Sequence, residues 1–161
     1  MPAMIDLHCD TLTRSRGRTA GRGPLDDPAF HLSLSKVPAG TRWIQCFAIF
    51  VPDQLRGREA IDFFDRHAAS FDEQMAQNRE RILPCRSFGG MEAALSEGKF
   101  GAVLTVEGGA VLAGQLERVE TIWNAGVRML TLTWNGPNEL ASGHDTPGGL
   151  TDFGREAVAE L

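Results

Sequence analysis

The feature that most constrains this chain is a repeated change of hydrophobic period. Short, nearly continuous apolar runs alternate with stretches whose apolar residues recur every three or four positions. The runs are Trp43 to Val51 (WIQCFAIFV), Gly101 to Val106 (GAVLTV) and Val127 to Thr133 (VRMLTLT). Continuous apolarity is what a strand covered on both faces requires. Between the runs, residues 57–82 carry Ile61, Phe64, Ala68, Phe71 and Met75 at helical spacing, with Ile82 in phase and Pro84 as the stop. Ser87 is placed to cap a helix over 88–97, with Phe88, Met91 and Leu95 as its stripe and Gly98 after its end. A helix over 114–125 sets Leu116, Val119, Ile122 and Trp123 on one face before Gly126, and another helix begins near Thr151 or Asp152. Strands alternating with helices make βαβ units, and such units make a parallel sheet. With residues 4–7 as a first short buried strand, the expectation is an α/β fold of about four parallel strands with helices. No repeat or linker divides it, so residues 1–161 read as one domain or part of one.

Charge and cysteine usage narrow the partners. A net charge of −5 argues against nucleic acid or an anionic membrane as the main partner. No apolar run approaches the roughly 20 residues of a membrane span, and no basic segment of signal-peptide type opens the sequence. The three cysteines are far apart and make no disulfide framework, which fits a reducing, cytoplasmic setting. Residues 13–40 are a polar stretch with Arg14, Arg16, Arg18 and Arg22. They read as a solvated loop, with attraction of an anionic substrate as the other reading.

The chemistry-bearing residues follow the strands. In Ile5–Thr11 (IDLHCDT), extended backbone would turn residues i and i+2 to the same side. His8 and Asp10 then aim an imidazole and a carboxylate at one point, with Cys9 directed away. Glu107 follows GAVLTV and is itself followed by Gly108 and Gly109, which allow close approach of backbone or ligand. Trp134 and Asn135 follow VRMLTLT. Parallel α/β folds bind ligands at the carboxyl ends of their strands, so these residues stand where that rule puts a site. His8, Asp10 and Glu107 are all metal-capable. Each also has a plainer reading. His8 would be a hydrogen-bonded core histidine, Asp10 a cap of the next segment, and Glu107 the partner of an arginine across the sheet. His31, His67 and His144 sit at no strand end; of these only His144, in a Gly/Pro-rich loop, is near enough to consider.

Five segments together resemble the membrane (renal) dipeptidase family of zinc metallopeptidases, relatives of the amidohydrolases. They are IDLHCDTL at 5–12, QCFAIFV at 45–51, VLTVEGGAVL at 103–112, AGVRMLTLTWN at 125–135 and GGLTDFGREAV at 148–158. They run in the family's order and spacing across essentially the whole chain. The resemblance implies a (β/α)8 barrel of TIM type with a two-zinc centre that hydrolyses dipeptides, often with a D-residue on the C-terminal side. By that likeness His8 and Asp10 match ligands of the first metal. Glu107 matches the carboxylate that bridges both metals, and is the catalytic group in this stretch. The implied chemistry is a bridging hydroxide attacking the scissile carbonyl.

Two departures matter. Some members of the family carry a histidine where this chain has Trp134, so no oxyanion role is assigned there. Trp134 and Asn135 remain candidates for lining the substrate pocket. The second departure is length. A β/α barrel takes about 250 residues, and this chain has 161. It therefore looks like the N-terminal half of such a barrel. The two further histidine ligands, the substrate-binding arginine and the catalytic aspartate would lie in the other half. The expectation is little or no dipeptidase activity from this chain alone, with completion by a C-terminal half or across a homodimer. Two alternatives stand beside it. One is another amidohydrolase-type metal hydrolase, although those usually open with H-x-H where this chain has Asp10. The other is a non-catalytic chain that associates through open sheet edges.

Overall fold

A computed structural model describes residues 3–14, 24–38 and 40–161. Of the four clustered arginines, Arg16, Arg18 and Arg22 lie outside the described residues. The strands are β1 (Met4–Asp6), β2 (Trp43–Phe50), β3 (Ile82–Pro84), β4 (Phe100–Glu107) and β5 (Val127–Thr131). The α-helices are α1 (Thr11–Arg14), α2 (Gly57–Gln77), α3 (Phe88–Ser96), α4 (Glu117–Asn124) and α5 (Asp152–Glu160). The sheet order is β1-β2-β4-β3, with β5 also paired to β4. β3 runs parallel along the start of β4, Ile82 opposite Phe100 and Pro84 opposite Ala102. β5 follows further on, where Gly108 N donates to Thr131 O at 3.1 Å.

The chain packs as two compact units, Met1–Ala48 with Ala69–Leu104, and Ile49–Ala68 with Thr105–Leu161. In the first, β1 runs parallel to β2 in the register Met4–Trp43 to Asp6–Gln45. Ile44, Cys46, Cys85, Ala94 and Val103 form a core against which Leu83, Met91 and Leu95 pack. Trp43 meets the Phe100 ring edge-on at 5.8 Å. Ser87 caps α3 by accepting from Gly90 N at 3.2 Å, as its sequence position predicts. In the second unit, α4 buries Val119 and Ile122. Thr151 caps α5, accepting from Gly154 N at 2.8 Å.

Four expectations are corrected. Among the described residues there are five strands rather than four, because β3 continues the helical phase of α2 in the sequence. Helix α2 ends at Gln77, where the Asn78 side chain turns back to the Gln74 carbonyl at 2.9 Å. Ile82 keeps the helical phase only by coincidence, and its burial comes from the strand. Next, β1 is not buried: Ile5 and Leu7 are 60% and 63% exposed. It is the first strand of the sheet, and among the described strands its partner is β2. Apolar composition reports what a strand can bury, not whether a neighbour is there to cover it. Phe88 is exposed rather than part of the α3 stripe, since it starts the helix one turn before Met91. Trp123 is exposed as well, with the Arg128 guanidinium 3.5 Å over its ring.

Candidate metal centre

β1 ends at Asp6, and the chain leaves the ladder before the two residues of interest. His8 N donates to the Asp6 carboxylate at 3.0 Å. Cys9 O accepts from Ala48 N at 2.9 Å, which holds this stretch against β2. Asp10 directly precedes α1, and its carbonyl accepts from Thr13 N and Arg14 N, both at 3.1 Å. His8 Nε2 and Asp10 Oδ1 come to 3.4 Å, with side chains 49% and 34% exposed. The pairing expected from i, i+2 spacing is therefore present, although the backbone there is no longer a strand.

Asp10 Oδ1 is buried and accepts no hydrogen bond among the described residues; the 3.4 Å approach of His8 is an ion-pair distance without hydrogen-bond geometry. A buried oxygen without a partner costs about 1–3 kcal/mol. Such an atom beside an imidazole nitrogen is the donor set a divalent cation satisfies. Cys9 lies between the two but is a protonated thiol. Burial pushes it up to about 11, against the smaller opposing effect of hydrogen bonds with Thr11. It is half-buried, and no thiolate is offered for ligation.

Glu107 is the last residue of β4 and is half-buried. Its carbonyl accepts from Val51 N at 2.9 Å. The two glycines after it serve the backbone. Gly108 has φ +104°, and a Cβ there would also press on Val51 O at 3.3 Å. At Gly109 a Cβ would meet Leu140 Cδ1 at 2.8 Å and Leu132 O at 3.0 Å. The chain can thus turn sharply from the strand end into the 3-10 turn Gly109–Leu112.

Trp134 is exposed and stands edge-on to Phe50, ring centroids 5.0 Å apart. Asn135 beside it is half-buried, and its carbonyl accepts from Asp145 N at 2.9 Å. His144 belongs to the same loop but is joined to it by its backbone, His144 N donating to Trp134 O at 3.0 Å. His67 stays on α2, its ring 4.1 Å from that of Phe63.

Sequence reasoning passed over Asp53. Its carboxylate accepts from Gly136 N at 2.8 Å, and Arg56 adds a bond to Pro137 O, so these residues fasten the loop that carries Trp134. The signal was available: Asp53 follows the β2 run just as Glu107 follows β4. Asp6 was also passed over, although it lies two residues before His8 as His8 lies two before Asp10.

A family model described as membrane dipeptidase, peptidase family M19, matches residues 2–161. Among solved structures, a dipeptidase described as a metallopeptidase of family M19 superposes with a TM-score of 0.87 at 24% identity, over 98% of this chain and 53% of that one. A metallopeptidase from Rhodobacter sphaeroides, liganded with a phosphinate mimic of L-Ala-D-Ala, gives 0.85 at 22% identity, over 98% and 55%. An uncharacterised Acinetobacter calcoaceticus protein is 25% identical over 153 residues, 80% of this chain and 49% of its own length. The chain thus spans about half the length of the proteins it matches. Its α/β fold, a parallel sheet with helices, superposes on about half of each of these two solved structures.

Proposed function

Because the chain belongs to the membrane dipeptidase family, peptidase family M19, we propose that it carries the N-terminal half of a zinc dipeptidase site. On this reading residues 1–161 are one partial barrel domain, and dipeptide hydrolysis requires completion by a C-terminal half. His8, Asp10 and Glu107 would be the residues of this chain that hold the zinc. When bound, such ions lower the pKa of water and polarise the scissile carbonyl.

The chain's own residues have separate tasks. Asp10 brings an oxygen that no hydrogen bond occupies. Glu107 presents its carboxylate from a strand end held by Val51 and followed by a glycine turn. Trp134, propped on Phe50, offers an exposed apolar face to a small peptide, with Asn135 next to it. Among the described residues no helix is long and apolar enough to cross a membrane. A cytoplasmic location is part of the proposal.

The observation that carries this reading is the buried Asp10 Oδ1, which has no hydrogen-bond partner among the described residues and lies 3.4 Å from His8 Nε2. Zinc content after dialysis against trace zinc, for the wild type and Glu107→Ala, is the test. We expect saturable zinc in the wild type and its loss in the variant, with hydrolysis of a dipeptide ending in a D-residue weak or absent in this chain alone. Zinc retained by the variant, or robust hydrolysis by the 161-residue chain, would overturn the reading. A second reading, association through open sheet edges as a homodimer or with a separate second half, is favoured by the exposed apolar β1. Sedimentation of the purified chain separates these states.

A further inference from the structure

We propose that Asp6 is a positioning residue for the metal-binding pair, acting on His8 through the backbone. The proposal rests on reading His8 as a ligand. β1 pairs with β2 only as far as Asp6 opposite Gln45. His8 lies two residues beyond that pair, at a strand end where the neighbouring Leu7 is largely exposed. Its N–H is taken by Asp6 Oδ1 at 3.0 Å. Asp6 is anchored in turn, since its carbonyl accepts from Gln45 Nε2 at 3.4 Å. Gln45 is a fully buried residue whose amide also donates to Cys46 O at 2.9 Å. A line of hydrogen bonds thus runs from the interior of β2 through Asp6 to His8. On the far side Cys9 O is fixed by Ala48 N at 2.9 Å.

The chemistry favours a carboxylate at position 6. A side chain of this length reaches the N–H two residues on, a bond open to Asp and Asn but not to larger or apolar residues. An ionised acceptor makes that bond stronger than a neutral one. Holding the His8 backbone also holds the origin of the imidazole whose Nε2 lies 3.4 Å from Asp10 Oδ1. Removing a group that orients a metal ligand typically weakens metal affinity about 10- to 100-fold.

The experiment measures zinc affinity of the full chain by chelator competition, for the wild type, Asp6→Ala and Asp6→Asn. The visible spectrum of the cobalt-substituted forms and thermal unfolding without metal are recorded alongside. Asp6→Ala is expected to bind zinc at least about tenfold more weakly, with an altered cobalt spectrum and an unchanged metal-free unfolding temperature. Asp6→Asn keeps an acceptor oxygen and is expected to remain within about threefold of the wild type, because a positioning bond survives loss of the charge. Wild-type affinity in Asp6→Ala overturns the proposal while leaving the metal site standing. Equal weakening in both variants also overturns it, since charge rather than the bond would then be the cause. Absence of zinc binding in the wild type removes the ligand reading itself, and the proposal with it.

Discussion

Replacing Asp10 with alanine should leave the metal-free protein nearly as stable as before and abolish its response to zinc. A full loss of a buried hydrogen-bond partner costs about 1–3 kcal/mol. Asp10 Oδ1 is an orphan of this kind, but its side chain is 34% exposed, so the low end, about 1 kcal/mol, applies. Alanine removes that penalty. It also removes the pair with His8, which at 3.4 Å between partly exposed groups contributes about 0–1 kcal/mol. The backbone carbonyl that receives Thr13 N and Arg14 N is retained, so the start of α1 is not lost. The two terms offset, and the metal-free variant should unfold within about 1 kcal/mol of the wild type.

With zinc the two proteins should part. Free zinc at 100 times its dissociation constant stabilises a one-site protein by about 2.7 kcal/mol. For a chain of this size that is a rise of about 5–11 °C in unfolding temperature. The variant should show almost none of it. The assay is thermal unfolding followed by circular dichroism, in chelator and in buffered zinc. A full zinc response in Asp10→Ala would refute the assignment of that oxygen to metal. A metal-free variant destabilised by more than about 2 kcal/mol would exceed both terms above and make the carboxylate a structural cap.

Gly109→Ala places a Cβ 2.8 Å from Leu140 Cδ1 and 3.0 Å from Leu132 O, an oxygen fixed as the acceptor of Gly109 N. Its urea midpoint should fall by the equivalent of about 1–3 kcal/mol, and an unchanged midpoint would show that the turn yields freely. His67 should titrate below the ordinary histidine value, because burial disfavours its charged form more than the Phe63 carbonyl supports it, with Arg66 adding a smaller push downward. A lowered folded pKa means that the unfolded chain takes up the proton first. This contribution is therefore present above about 6.5 and lost as pH falls through the folded value. His67→Gln should flatten that acid-side decline, and an NMR titration giving His67 a midpoint at or above 6.5 would contradict the burial argument.

Much of the fold was readable because the chain keeps its periods cleanly. WIQCFAIFV and GAVLTV became β2 and β4 within a residue at each end, and Ser87 capped α3 from its sequence position. What was not readable depended on the presence of neighbours. β3 is three residues long, too short to show a period, and it followed a helix whose phase Ile82 happened to continue. The apolar residues of β1 promised burial, but burial needs a second strand or a helix over them, and local sequence carries no record of either. Trp123 was assigned to a buried face by spacing alone, whereas Arg128, five residues on, supplied the surface partner.

The candidate site could be named for a different reason. Strand ends in parallel α/β folds collect function whatever the details of the strands, so His8, Asp10 and Glu107 could be named from position and residue type. The argument for the first two leaned on extended backbone, and there the physics is otherwise. β1 stops at Asp6, and the pair is set by Asp6 accepting from His8, by Cys9 receiving Ala48 N, and by Asp10 opening α1. Strand alternation would tie the imidazole and the carboxylate to one rigid ladder. Side-chain hydrogen bonds at an exposed end tie them by contacts of about 1 kcal/mol each, which single substitutions can release without unfolding the sheet. With the pair as proposed ligands, metal affinity should accordingly be more sensitive than global stability to changes in residues 6–10, and that asymmetry would separate a pair built on a turn from one built on a strand.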